Sequence, residues 1–216
     1  MRFKLQMCGL LFGFVALSGL SAPVARAATV TRVVVSGTTA NLNLVVSSPG
    51  ARPDCTIDFW VTLLASASVQ RTTGTASTGA IGFVQRLDNC TDSIEFGSFN
   101  AVLPANAFVT TASTVTVNAT IPVAMQSLGP DGTIVNRTLV ATGLTFTNVE
   151  NNSVSSRSFG ITKAPGFTLI SRGNSVFNAA NVSGTLSIDG GNLVTAQAMS
   201  TNGIETGTSA TLDITR

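Results

Sequence analysis

The densest polar stretch of the chain is Arg86-Leu87-Asp88-Asn89-Cys90-Thr91-Asp92-Ser93-Ile94-Glu95. Asp88, Asn89, Asp92 and Glu95 offer the hard oxygen donors that Ca²⁺ collects in sets of about six to eight. Their spacing lacks the alternation and the central glycine of an EF-hand loop, so the plainer expectation is a solvated loop whose acids offset Arg52 and Arg86. A second candidate is Trp60, the lone tryptophan, with Asp58 and Thr62 on the same side of an alternating run. An outward Trp beside a carboxylate suits stacking on a sugar ring or anchoring a partner, although a Trp so placed is more often covered by a loop.

The chain has no histidine. That removes the commonest general base, the usual partner of a nucleophilic Ser or Cys, and the commonest metal ligand. Lys163 lies in Ile161-Thr162-Lys163-Ala164-Pro165-Gly166, which reads as a strand entering a turn, and no nucleophile-elbow motif surrounds any serine. A carboxylate pair for hydrolysis would be drawn from Glu95, Glu150, Glu205 and the aspartates. The expectation is a protein without catalytic residues or cofactor, with a carboxylate-based hydrolase ranked third.

Residues 1–27 begin with Arg2 and Lys4, continue through an apolar stretch from Cys8 to Leu20, and end on Ala25-Arg26-Ala27. This is the charged, apolar, small-x-small order of a secretory signal, and the apolar run falls short of the roughly 20 residues of a membrane span. Cleavage predicts a mature chain over 28–216 that is secreted, periplasmic or on the cell surface, with no membrane span. Losing Arg2, Lys4 and Arg26 leaves nine basic residues against ten acids, a net charge of −1. No basic stripe is evident along the chain, so nucleic acid is not expected as a partner. Cys55 and Cys90 then form an even pair in an oxidising compartment, which predicts one disulfide. Closing about 36 residues contributes roughly 4 kcal/mol on the chain-entropy relation.

Alternation of period two runs through the mature sequence. Leu42, Leu44 and Val46 oppose Asn41 and Asn43; Ile57, Phe59, Val61 and Leu63 oppose Asp58, Trp60 and Thr62. The same pattern recurs at Val115, Val117, Ala119 and Ile121, at Val182, Leu186 and Ile188, and at Ala210, Leu212 and Ile214. Such runs with Thr, Ser and Asn between them predict half-buried antiparallel strands. Less regular strands are expected near 30–35, 80–87, 134–147, 157–162, 166–171 and 193–199, and Val61 to Val69 is weakly compatible with a short helix. Turns are expected at Ser36-Gly37, Ser48-Pro49-Gly50, 129–132, Asn202-Gly203 and, most clearly, at Asp189-Gly190 within a hairpin from Ile188 to Leu193.

These signals predict an all-β protein: an antiparallel β-sandwich or jelly roll forming one domain over 28–216, with a candidate boundary near 125–132. The alternatives are two small immunoglobulin-like sandwiches or a short β-helix. An outer-membrane barrel is disfavoured by the absence of Tyr and the single Trp, which leave no aromatic girdles. At the level of fold alone, an exported, low-charge sandwich with one disulfide is similar to fimbrial subunits and to bacterial surface or periplasmic binding modules. The functional expectation is a non-enzymatic structural or adhesive surface protein acting through sheet edges or faces, by self-association or on a surface partner. The alternative is a soluble β-sandwich module for a glycan or small ligand, centred near Trp60.

Overall fold

The computed structural model describes residues 28–128, 132–193 and 202–215. The expected leader over 1–27, most of the strand expected near 193–199 and positions 129–131 of the expected 129–132 turn therefore lie outside the described residues. The chain is almost entirely antiparallel strand: β1 (Thr29–Pro49), β2 (Thr56–Gln70), β3 (Thr75–Asp88), β4 (Ser93–Val102), β5 (Phe108–Thr110), β6 (Thr114–Ser127), β7 (Ile134–Ala164), β8 (Phe167–Ile188), β9 (Gly191–Asn192) and β10 (Gly203–Thr215). The only helical turn among the described residues is 3₁₀, at Ala105–Ala107. Val61 to Val69 lies within β2, as its β-branched and serine content favours.

The all-β, antiparallel expectation holds, and the strand order is that of a meander. β1, β2, β3, β4, β6, β7 and β8 pair in succession, and β10 inserts between β8 and β1. The ladder thus closes on itself. Layers that face each other across the core are flanks of one continuous sheet, and no parallel coil of a β-helix is present among the described pairings. Through the middle of the ring the inward parity is apolar. Leu42 and Leu44 on β1, Phe59 and Val61 on β2, and Val84 on β3 meet Ile121 and Met125 on β6 and Leu139 and Phe146 on β7 in one cluster. Buried side chains from both sides of 125–132 share that cluster. Apolar inside with Asn, Thr and Ser outside is the reverse of the lipid-facing pattern of a membrane-spanning barrel.

Most turns follow the local chemistry. Asp189 and Gly190 both take positive φ, 47° and 84°, and Ile188 pairs with Gly191, a two-residue hairpin with the φ signs of a type I′ turn. Ser36-Gly37 makes no turn; it lies inside β1, where Gly37 faces Ser68 and Gly207 on the flanking strands. Asn202-Gly203 leads straight into β10, with the Asn202 side chain accepting a hydrogen bond from the Asn43 amide at 2.6 Å.

The ring opens at one end. The β7–β8 register shifts first at Thr142/Thr145, beside Gly143 and Gly184, and again at Asn148/Ser153. Gly184 has φ +102° and an added Cβ there would lie 2.1 Å from the Gly143 carbonyl oxygen, so the bulge requires glycine. β7 leaves β6 after Thr147, and residues 153–164 pair with β8 alone. On the other side, the ladder over Thr29 to Val34 is with β10, and β2 joins from Val35, with the Arg71 amide donating to the Val34 carbonyl at 2.7 Å. Here β7, β8, β10 and β1 form a four-stranded sheet whose two outer edges carry no further strand among the described residues.

Candidate functional site

The polar stretch around Asp88 closes one end of the core. Arg86, Asp88 and Glu95 stand on the inward parity of β3 and β4, where Arg86 pairs in register with both Phe59 and Glu95. Arg86 bridges Asp88 at 2.7 Å and Glu95 at 3.3 Å. Arg137, on the inward parity of β7 between Val135 and Leu139, reaches Glu95 through Nε and Nη2 and reaches Asp189 at 2.7 Å through Nη1. Three carboxylates and two guanidiniums therefore alternate in one chain, from Asp88 through Arg86, Glu95 and Arg137 to Asp189. Its inner members are nearly dry, with Glu95 8% exposed.

Electrostatics follow from this packing. Burial pulls the Asp88 carboxyl upward, but the Cys90 amide and the Arg86 guanidinium outweigh it and hold Asp88 below the usual range. Asp189 behaves the same way, with burial opposed by the Thr138 amide and Arg137. The two hydrogen bonds to Glu95 lead in raising Arg137.

The four sequence candidates for a cation are distributed by this network. Asp88 and Glu95 are engaged by arginine, while Asn89 turns to Asp58, donating to its carboxylate at 2.9 Å and to the Thr56 hydroxyl. Asp92 takes positive φ, 53°, in the exposed β3–β4 turn. Among the described residues no three acidic or cysteine side chains gather as metal ligands. The Cys55–Cys90 disulfide is formed, with Cα atoms 5.2 Å apart, and ties the β1–β2 loop to the β3–β4 turn at this same end. Gly50 packs against it; an added Cβ would lie 2.3 Å from the Cys90 sulfur.

Trp60 lies on the outer face and is 39% exposed. In register across the strands, Val45, Trp60, Gln85, Phe96 and Gln126 form one row. Phe83, 38% exposed, sits diagonally from both Trp60 and Phe96, opposite Thr62 and Ser98. Three aromatics from three strands thus surround the Gln85 amide. Asp58 lies one outward position further along β2, its pKa lowered by hydrogen bonds from the Ser47 hydroxyl and the Asn89 amide. Phe83 and Phe96 carry a legible signal, since each opposes a buried neighbour in an alternating run; Arg137 and Asp189 gave none beyond a charge at an inward position.

No known family, curated protein or solved structure matches this chain. Among the described residues, no helix is long and apolar enough to cross a membrane.

Proposed function

We propose that this chain is an exported, non-enzymatic structural or adhesive surface protein that associates through its sheet edges. The observation that carries the reading is the edge of β7 over 153–164, twelve consecutive residues that among the described residues pair on one side only and are exposed except at Gly160. A strand that long with free N–H and C=O groups is a template for adding a strand from a second copy. The leader-like order of residues 1–27 and the formed disulfide support an oxidising compartment. The chain's lack of histidine supports a non-enzymatic role.

Alternate N–H groups along a strand point to opposite sides, so of Ser155 and Ser156 one points its N–H to β8 and the other to solvent. Proline at the solvent-facing position leaves the monomer folded and lowers the oligomer population in sedimentation; proline at the other disrupts the β7–β8 ladder. A wild-type protein that stays monomeric at high concentration, in low and high salt, overturns the reading.

The Trp60 face favours a second reading, a glycan-binding module. A flat platform of Trp60, Phe83 and Phe96 around a hydrogen-bonding amide has the stacking surface and polar partner that a sugar ring needs. Glycan-array binding lost in Trp60→Ala supports this reading, and an array without binding rejects it.

A further inference from the structure

The four-stranded sheet beyond the core has two chemically different faces. Its inner face continues the parity of Ala40, Ile204 and Ala180, all of which are buried in the core. Along this parity Arg32, Leu212, Ile170 and Ile161 make one cross-strand row. Val34, Ala210, Arg172 and Phe159 make the next, and Val30, Ile214, Thr168 and Lys163 the row nearest the chain termini. Arg157 follows on the same side, opposite Asn174. Four of the nine basic residues outside the leader therefore share one face, and none of the four is ion-paired with a described residue. Among the described residues no acid lies on it: Asp213 and Glu205 stand on the opposite parity of β10.

The pattern along these strands is that of a core face, but the opposite flank does not extend over it. Val30, Phe159 and Ile161 are 58%, 61% and 51% exposed. Arg32 and Arg172 border one hollow of about 330 Å³ floored by Ile170, Ala210 and Leu212. Arg172 lies over the Phe159 ring at 5.4 Å, its stem on apolar surface and its charge outward. Apolar side chains interleaved with unpaired cations, and no acid, complement a surface that is anionic at its boundary and apolar beneath.

We propose that this inner face docks on a lipid bilayer containing anionic lipid, with the apolar rows at the acyl boundary and Arg32, Arg157, Lys163 and Arg172 at the headgroups. The cations exclude a face-to-face pair of identical copies, which would appose like charges. An acidic polypeptide would satisfy the cations but would leave Val30, Phe159 and Ile161 with little to cover them. The attachment is peripheral and needs no spanning segment.

The test is vesicle flotation of the exported protein, its N-terminus verified near Ala28 by mass spectrometry. Phosphatidylcholine vesicles are compared with vesicles containing about 30 mol% phosphatidylglycerol, whose anionic headgroups give the surface a negative potential. The protein is expected to float with the anionic vesicles alone and to be released by high salt. Each cation near such a surface contributes about a factor of five, so Arg32→Gln with Arg172→Gln is expected to weaken binding about thirtyfold. Arg157→Gln with Lys163→Gln, both on the exposed edge strand, provides the same reading should the first pair impair folding. Equal binding to both vesicle types, or anionic binding that survives both double variants, overturns the proposal. Failure to float on either, with retention on immobilised polyglutamate that Arg32→Gln/Arg172→Gln removes, overturns it in favour of an acidic polypeptide.

Discussion

Replacing Glu95 with alanine tests the charged chain that closes the core. Among the described residues Glu95 is the only carboxylate shared by Arg86 and Arg137, and it accepts three hydrogen bonds, two of them from Arg137 in a bidentate pair. Net values for hydrogen bonds to charged groups run at about 1.5–3 kcal/mol each, and breaking a buried pair costs about 3–5 kcal/mol in all. Two features lower the figure here: Arg86 keeps Asp88 and Arg137 keeps Asp189, and the bond from Arg86 is long at 3.3 Å. The expected loss is about 3 kcal/mol, which for a chain of this size lowers the thermal midpoint by about 6–12 °C. Glu95→Gln keeps one acceptor and most of the volume, and its loss should be about half as large. Calorimetry of both variants, with Arg137→Met and the double mutant, measures the coupling directly. A Glu95→Ala midpoint within about 2 °C of wild type, or a Glu95–Arg137 coupling below about 0.5 kcal/mol, would refute the view that these charges hold the end of the core.

Three further predictions concern the same end of the molecule and its outer face. Replacing both Cys55 and Cys90 with serine should lower stability by about 2–5 kcal/mol in denaturant titration, and Gly50→Ala should slow formation of the bond, read by thiol titration during refolding, because its Cβ would overlap the sulfurs. Asp88 and Asp189 are held below the ordinary carboxyl value of 3.8, so between the folded and unfolded values the unfolded chain binds more protons. Their contribution is therefore complete above the unfolded value and is lost as pH falls through the folded one; urea midpoints should be level above about pH 5 and fall below pH 4. Trp60→Ala, at an outward position 39% exposed, should shift the urea midpoint by less than the equivalent of about 1.5 kcal/mol, whereas Phe59→Ala, the adjacent inward residue, should cost about 3–5 kcal/mol.

Alternation made the inward set legible wherever a facing flank exists. Phe59, Val61 and Leu63 are buried as their period requires, and Trp60 stands outward as Asp58 and Thr62 imply. Ala210, Leu212 and Ile214 carry the same period but are only half-buried, because burial depends on what lies opposite and not on the period alone. Strand lengths were less legible. Residues 134–147 and 157–162 read as separate strands but belong to one β7, since the bulges that join them are made by register shifts and not by breaking residues. Of the charged chain, Asp88 and Glu95 stood out by density alone. Their partner Arg137 lies 42 residues from Glu95, and only closure of the sheet brings the two together.

The insertion of β10 between β8 and β1 also sets an order of assembly. Thr29 finds its partner in Thr215, at the far end of the chain, so β1 must present a bare edge until the last strand arrives. Pairings of such long sequence separation form slowly, and exposed edges in the interval invite pairing between chains. A chain truncated before Gly203 would leave not one open edge but several, along both β1 and β8. The thirteen residues of β10, last of the described strands in chain order, therefore act as the latch whose arrival closes the ring along β1 and β8.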